Sequence, residues 1–431
     1  MALLPDRVDH WPGASISPFH FGAECCKAVT GHHGAIVKLA PSSRGIRERK
    51  VTSDYCLANA RLITDDGIFT GRVSVSGGVI SSVDSGTDIP AGAVDCDSDF
   101  LSPGLIELHT DNLERHLKPR PGVRQPTTDA LIAHDGELAS TGITTVFDAL
   151  RVGSVISVGR NAYEPYALEA AAALDSLRES GQLKIDHHIH LRAEICSETL
   201  ADELDSFRKA QRIGIVSLMD HTPGQRQFRD MKQLMEYLQG KHGMSDAQFQ
   251  DHCARMKTLQ ARNGQRHRDA AVEFAADAGA VLASHDDTTV GDVAESRAVK
   301  CVLAEFPTTL EAAAECNDAG MAVMMGAPNL MRGRSHSGNI SADELVAPGY
   351  LQILSSDYVP STLLRAVVKL AQKLEDMSAA MATVTSEPAR VTGLDDRGRL
   401  AVGLRADMLR FGVEGAHPII RGVWSAGRQV A

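Results

Sequence analysis

Long apolar runs are missing from this sequence: no stretch approaches the roughly 18 consecutive apolar residues that a helix needs to cross a bilayer. The first residues also lack the basic-then-apolar order of a secretion signal. The eight cysteines are scattered, without a CxxC pair or the regular spacing of a disulfide framework. Unpaired thiols are typical of a reducing compartment. We therefore expect a soluble, cytoplasmic protein.

Basic residues are fewer than acidic ones: the sequence has 44 Lys and Arg residues and 55 Asp and Glu residues, which gives a formal net charge of −11. Such a chain repels nucleic acid and anionic membranes, so we expect neither as a partner. A basic cluster within an acidic protein then indicates a local pocket for an anion. No glycine-rich Walker loop with its lysine is present, so side chains and loop amides would have to bind any phosphate.

The character of the sequence changes along the chain. Residues 1–50 are rich in Gly, Pro, Ser and His and show no helical or strand periodicity, which predicts a poorly ordered extension. Residues 51–98 and 389–431 contain short strand-like runs with hairpin signals such as Asp65-Asp66-Gly67 and Gly77-Gly78. These two segments are predicted to pair into one small β-sandwich domain.

Residues 99–388 alternate apolar strand-like runs with helical stretches, which is typical of parallel βα units. Eight such units predict an α/β fold, a (β/α)8 TIM-type barrel, in which catalytic groups lie at the carboxyl ends of the strands. The longest insertion is a polar helical segment at about 225–263. The predicted strands are Leu105–His109, Ile143–Asp148, Ile185–Ile195, Gly214–His221, Ala280–His285, Lys300–Phe306, Met321–Met325 and Leu351–Asp357.

Imidazoles and carboxylates recur at these predicted strand ends. Strand periodicity puts His109 and Asp111 on one face and places Glu194 nearest the mouth of its strand. Any one such residue is more often a capping or hydrogen-bonded group than a ligand. Several buried charges that face one another are very costly without a cation, however, so the joint pattern predicts a metal site. The strand ends carry His109, Asp111, Glu194, Asp220, His221, His285, Asp286, Asp287 and Asp357.

A mixed set of imidazoles and carboxylates favours zinc, with manganese or iron as alternatives, and either one or two ions. Such an ion lowers the pKa of bound water to about 7 and supplies hydroxide as a nucleophile. A carboxylate must then take up and return the proton, for which we select Asp357. Glu194 is the best bridging ligand if two ions are bound.

Basic side chains follow several of the strand ends. The segment from Arg115 to Arg124 holds four Lys or Arg residues and one His, and no acid. Such a density of cations suits a substrate that carries phosphate groups. For each residue taken singly, a solvated surface position is the alternative. The candidate phosphate-binding residues are Arg115, Lys118, Arg120, Arg124, Arg226, Arg332 and Arg334.

The strings 101–109 (LSPGLIELH) and 403–408 (GLRADM) resemble the segments that lead into and out of the barrel in the amidohydrolase superfamily, and the resemblance covers roughly residues 55–431. It implies a metallo-barrel flanked by a β-sandwich from both chain ends. It also implies ligand roles for His109, Asp111, His221 and His285, a shared-ligand role for Glu194, and the roles of ligand and general base for Asp357.

Two features depart from the superfamily's pattern. Its first strand usually carries His-x-His, whereas this chain has Asp111 as the second residue. Its two later histidines usually belong to strands five and six, whereas His221 and His285 follow the predicted strands four and five.

More specific strings narrow the resemblance to the diphosphatase family of the carbon–phosphorus lyase pathway: 109–116 (HTDNLERH), 220–227 (DHTPGQRQ), 283–287 (ASHDD), 305–309 (EFPTT), 325–329 (MGAPN) and 332–339 (RGRSHSGN). This implies hydrolysis of α-D-ribose 1-methylphosphonate 5-triphosphate to ribose 1-methylphosphonate 5-phosphate and pyrophosphate, with a functional link to the other enzymes of that pathway. A homodimer is expected on superfamily analogy alone. Two other functions stay open: hydrolysis of a C–N bond in a cyclic amide or an N-acetylated sugar phosphate, and a non-catalytic scaffold within a phosphonate-degrading assembly.

Overall fold

The computed structural model describes residues 54–155, 165–210, 212–335 and 338–431, without the side chains of residues 237, 241 and 242. The predicted extension over residues 1–50 lies outside these residues. The strands are β1 (Tyr55–Thr64), β2 (Gly67–Ser76), β3 (Val79–Ser85), β4 (Val94–Asp95), β5 (Phe100–Pro103), β6 (Leu105–Thr110), β7 (Ile143–Val152), β8 (Asp186–Glu194), β9 (Ile213–Met219), β10 (Val281–His285), β11 (Leu303–Glu305), β12 (Ala322–Gly326), β13 (Ile353–Ser355), β14 (Met408–Glu414), β15 (His417–Ser425) and β16 (Arg428–Gln429). The α-helices are α1 (Leu113–Leu117), α2 (Thr127–Ser140), α3 (Ala167–Glu179), α4 (Leu200–Ser206), α5 (Met231–His242), α6 (Asp246–Ala278), α7 (Val290–Ala298), α8 (Leu310–Asp318), α9 (Ala327–Arg332), α10 (Leu363–Leu374), α11 (Met377–Ala382) and α12 (Ser386–Thr392).

One eight-stranded sheet is built from both ends of the described chain, in the order β16-β15-β14-β5-β1-β2-β3, with β4 paired to β1. The two ends meet where β5 pairs antiparallel with β14. Both predicted hairpins are confirmed, because β1 pairs with β2 and β2 with β3 in antiparallel register. Gly77 and Gly78 both have positive φ, as a two-residue type I′ turn requires.

The second sheet contains the eight predicted strands of the barrel, β6 to β13, in sequential order and in parallel register. A bridge between Thr110 and Asp357 brings the first and last strands together, and the Thr110 hydroxyl donates to the Asp357 carbonyl at 2.7 Å. The Ser355 hydroxyl donates to the Glu107 carboxylate across the same gap, at 2.7 Å. We call this junction of β6 and β13 the seam.

An apolar cluster fills the interior of the barrel below its mouth. Seven of the eight barrel strands contribute side chains to this cluster. Side chains from so many strands can meet only inside the ring that the strands form. β8 adds the ring of His188, which stacks on Phe147 at 4.7 Å. The cluster contains Ile106, Leu108, Phe147, Ile215, Ala283, Leu303, Ala322, Met324 and Ile353. Polar side chains inside the ring are therefore displaced towards the carboxyl ends of the strands.

The predicted helical insertion corresponds to α5 and α6, which lie between β9 and β10. Capping residues define where both helices begin. The Asp230 carboxylate caps the start of α5, and Ser245 with Gln248 forms a capping box at the start of α6. An apolar cluster with Leu234 and Phe249 packs the two helices together. Of all helices in the described part of the chain, none is both long and apolar enough to traverse a bilayer.

A buried cluster of imidazoles and carboxylates joins the barrel wall to α2. On the outer side of β7, Asp148 accepts from His134 of α2 at 2.8 Å and from His187 of β8 at 2.7 Å. His187 also lies 3.2 Å from Asp135 of α2. Burial alone would lower the pKa of His187, but the carboxylates of Asp148 and Asp135 raise it to about 9.

We expect this cluster to make the stability of the fold depend on pH. Because the pKa of His187 is raised above its unfolded value of about 6.5, its stabilisation of up to about 3 kcal/mol is fully present below pH 6.5 and is lost as pH rises through about 9. Urea denaturation of wild type and Asp148→Asn at a series of pH values measures it. The variant should lose most of this dependence between pH 6.5 and 9; equal slopes for both proteins would contradict the assignment.

Candidate metal centre

Three side chains from separate barrel strands converge at the mouth: His109 of β6, His285 of β10 and Glu305 of β11. One potential ligand atom from each lies within 4.8 Å of the other two. The Glu305 Oε2 atom is 2.8 Å from His285 Nδ1 and 3.3 Å from His109 Nδ1. All three residues are buried, with His109 and Glu305 only 1% exposed. The arrangement brings one carboxylate against two imidazoles in a site closed to bulk water.

The protonation states of these residues suit a cation. Burial and the neighbouring His190 hold the pKa of His109 well below its usual range, and burial lowers that of His285 to about 3. Both imidazoles are therefore neutral, as a metal ligand must be. In addition, His109 Nδ1 and Glu305 Oε1 are buried without a hydrogen-bond partner among the described residues. Buried polar atoms left unpaired in this way are costly, and a divalent ion would satisfy them, so the residues fit a metal.

A second group lies beside the first and shares His285 with it. It adds His221, which follows β9, and Asp286, which follows β10. His221 Nδ1 is 2.5 Å from the Glu194 carboxylate at the end of β8, and the His221 backbone N–H donates to the same group at 3.2 Å. Although burial opposes it, His221 lowers the pKa of Glu194, so this acid is ionised. Two adjacent groups of this kind can hold one or two ions.

The backbone conformation at three positions near the metal centre determines the direction of the side chains. Asp286, Phe306 and Asp357 each follow a barrel strand closely and adopt left-handed φ values of 56°, 55° and 55°. Non-glycine residues rarely take this conformation, and such strain is concentrated at functional sites. The Phe306 ring lies edge-on to His109 at 5.1 Å and to His285 at 5.4 Å, so it forms an apolar wall against both ligands.

Asp111 and Asp357, the other two predicted ligands, lie at the rim of these groups. The Asp111 carboxylate forms an ion pair with Arg192 of β8 at 3.2 Å. The Asp357 side chain lies beside Gly326, where an added Cβ would come within 3.6 Å of its Oδ2 atom. Burial and the charge of Asp111 raise the pKa of Asp357 to about 7. A carboxyl group of that pKa is well matched to accept a proton near neutral pH.

The predicted phosphate-binding residues lie mostly at the surface, and several of them form ion pairs. Three have acidic partners: Arg115 pairs with Glu137 at 2.5 Å, Arg124 with Glu169 at 2.6 Å, and Arg226 with Asp287 at 2.5 Å. Arg226 also donates to the His285 carbonyl and is nearly buried, so in this structure it braces the loop after β10. Six of the seven residues are exposed: Arg115, Lys118, Arg120, Arg124, Arg332 and Arg334. Their contact with substrate stays a prediction.

The structure adds residues that the sequence analysis left without a role. Glu305 is the last residue of the sixth barrel strand, where the superfamily pattern has a histidine. His285 is the last residue of strand five, and His221 follows strand four. The ring of His190 lies 4.9 Å from that of His109, and its Nε2 atom is 3.3 Å from Glu305. One signal was available, because the string 305–309 places Glu305 at a predicted strand end.

Comparison with known proteins gives one strong relative and many fold neighbours. No protein-family model matches the chain. The chain is 39% identical over 377 residues, 86% of its own length and 99% of the relative's, to α-D-ribose 1-methylphosphonate 5-triphosphate diphosphatase of Escherichia coli (strain K12). Among solved structures it resembles N-isopropylammelide isopropylaminohydrolase of Burkholderia multivorans, with a TM-score of 0.58 and 15% identity over 88% of this chain and 98% of that one. It also resembles N-acetylglucosamine-6-phosphate deacetylase of Pasteurella multocida, with a TM-score of 0.56 and 11% identity over 88% and 99%. At these identities the two structures establish the fold alone.

Proposed function

Because the chain belongs to the α-D-ribose 1-methylphosphonate 5-triphosphate diphosphatase family, within the amidohydrolase superfamily, we propose that its barrel mouth hydrolyses that triphosphate. The products are ribose 1-methylphosphonate 5-phosphate and pyrophosphate, so the protein acts in phosphonate catabolism. The observation that carries the proposal is the convergence of His109, His285 and Glu305 beside Asp357, at the end of the barrel where such enzymes carry their chemistry.

The residues that would hold the metal are His109, His285 and Glu305, with His221, Asp286 and Glu194 beside them. A divalent ion bound there, with zinc as our first choice, activates water at neutral pH and polarises a phosphoryl oxygen. Asp111 is a weaker candidate ligand, because its carboxylate already has a cationic partner in Arg192.

We assign the transfer of the proton to Asp357. The attacking water forms a bond to the α-phosphorus, the bond from that phosphorus to the bridging oxygen of pyrophosphate breaks, and the water's proton passes to the Asp357 carboxylate. The raised pKa of this group allows it to accept the proton and then release it near neutral pH. Its left-handed backbone, held at the seam by Thr110, fixes the direction of the side chain.

The walls of the mouth limit access of water to the reacting atoms. Phe306 covers one side of His109 and His285, and the barrel's apolar cluster, with Leu108, lies beneath. Charge interactions are stronger in such a site than in water, so cations near the mouth stabilise the charge that develops on the phosphoryl oxygens and on pyrophosphate.

Purified, metal-loaded protein is expected to release one pyrophosphate per molecule of the ribosyl triphosphate. Enzymatic detection of pyrophosphate, beside detection of inorganic phosphate, measures this. A cyclic amide and an N-acetylated sugar phosphate, tested for amine or acetate release, serve as controls for the C–N bond alternative. Stepwise release of phosphate, or turnover of the amides instead, would overturn the proposal, and an inert protein with full metal occupancy would favour the scaffold.

A further inference from the structure

Two arginines of neighbouring barrel strands lie side by side at the mouth. Arg151 of β7 and Arg192 of β8 are register partners in the parallel ladder, as are Ala149 and His190 two positions earlier. Register partners in a parallel pair project to the same side of the sheet, and so do residues two positions apart along a strand. The direction of His190 therefore gives the direction of both arginines.

His190 points into the barrel. Its imidazole contacts the Leu108 carbonyl and the Ser217 hydroxyl at 2.8 and 2.9 Å, and its ring lies 4.9 Å from that of His109. The alternate positions face outward, since Asp148 and His187 contact α2. Arg151 and Arg192 thus belong to the interior face, two positions nearer the carboxyl ends of their strands than Ala149 and His190.

The guanidinium group of Arg192 has an N–H donor that no described residue uses. Its side chain is 17% exposed and its Nη1 atom donates to Asp111 at 3.2 Å. Its Nε atom is buried without a hydrogen-bond partner among the described residues. The charge of Arg192 lowers the pKa of both His109 and Asp357, and the charge of Arg151 lowers the pKa of Glu194, as expected of cations on the same interior face.

We propose that Arg151 and Arg192 together bind the pyrophosphate that leaves the α-phosphorus. The inference rests on the proposed function. Two like charges on adjacent strands repel each other unless anions lie near them, and here the anions that act on the pair include Asp111, Glu114 and Glu194. Glu194 is a candidate metal ligand, and an ion bound to it would remove part of the counter-charge of the guanidinium pair. A pyrophosphate group would restore that counter-charge through paired N–H donors.

Pyrophosphate suits this position better than the phosphonate end of the substrate. The leaving group is bonded to the α-phosphorus itself, whereas the phosphonate is separated from that atom by the whole ribose. Groups adjoining Asp357 and His109 therefore reach the pyrophosphate first. As the bond to the bridging oxygen breaks, pyrophosphate departs with the electron pair, and the two guanidinium groups stabilise that added charge.

Binding of inorganic pyrophosphate and of methylphosphonate to the metal-loaded protein, measured by calorimetry with the metal content checked before and after, tests this inference. Arg151→Gln and Arg192→Gln should each weaken pyrophosphate binding by about ten- to hundred-fold, because each removes charged hydrogen bonds. Arg192→Lys should fall between, since lysine retains the charge without the paired donors. Methylphosphonate binding should not change, and the exposed Arg421→Gln serves as the matched control.

Arg192→Gln also leaves Asp111 unpaired, so thermal denaturation of each variant checks its fold; Arg151→Gln and Arg192→Lys retain the Asp111 partner. Unchanged pyrophosphate binding in these two variants would overturn the inference, as would a loss confined to methylphosphonate. A wild type that turns over the triphosphate while its variants bind pyrophosphate normally would refute the inference alone. A wild type without turnover would refute the proposed function, and calorimetry would still report on the arginine pair.

Discussion

Replacing Asp357 with asparagine is expected to lower kcat for pyrophosphate release by about 10²–10⁴-fold, the usual contribution of a positioned general base. The amide has nearly the same shape but cannot accept the proton from the attacking water. Steady-state kinetics on the ribosyl triphosphate, with the metal content of each preparation measured, give the result. The exposed Asp129→Asn on α2 is the control for an equivalent change of charge.

Asparagine is the right substitute because the Asp357 backbone has a φ of 55°. Asparagine tolerates this conformation better than alanine does, so the change tests the carboxylate rather than the seam. A variant with normal metal content and a kcat within about ten-fold of wild type would contradict the assignment, since even a modest general base contributes more.

Glu305→Gln is expected to weaken metal binding by about 100-fold or more, and activity should fall with metal occupancy. Glu305 is the carboxylate that three imidazoles share: those of His109, His190 and His285 lie at 3.3, 3.3 and 2.8 Å. The amide keeps the volume of the side chain but removes its negative charge, which leaves neutral imidazoles as the neighbouring ligands. Inductively coupled plasma mass spectrometry after dialysis against a weak chelator measures the loss.

Activity of Glu305→Gln should recover in part when metal is added in excess, because the other ligands stay in place. Glu311→Gln, an exposed glutamate on α8, is the matched control and should retain wild-type metal content. Full metal occupancy of Glu305→Gln after the same dialysis would exclude Glu305 as a ligand and would leave His221, His285 and Asp286 as the remaining group.

The barrel could be predicted because its strands alternate regularly with helices and are strongly apolar. The orientation of short strands could not. β11 has three residues, too few for a period-two pattern to show that Glu305 faces the mouth. His187 illustrates the opposite case. Because β8 has nine residues, its alternation of side chains can be counted along the sequence, and His187 and His190 fall on opposite faces, the outward and the inward one.

Long-range pairing was the other information that the sequence did not contain. The spacing of His109 and Asp111 predicts that their side chains converge, but β6 is irregular between Glu107 and Thr110, and Asp111 follows the end of the strand. Its partner Arg192 is 81 positions away. The sequence likewise groups Arg226 with the phosphate-binding residues, but it does not show that Arg226 pairs with Asp287, 61 positions away. Charge on a residue was visible in the sequence, whereas the charge that compensates it was not.

The seam joins two strands that lie far apart in the chain. Thr110 and Asp357 are 247 positions apart, so the contact between them closes one of the longest loops in the chain. Contacts of this kind form late in folding, because the entropy of the loop is lost before the contact contributes its stabilising free energy. Asp357, the proposed proton acceptor, follows the last barrel strand. A nascent or truncated chain that ends before residue 357 therefore lacks both the closed ring and this carboxylate. Under the proposed function, such incomplete molecules would be unable to hydrolyse the ribosyl triphosphate.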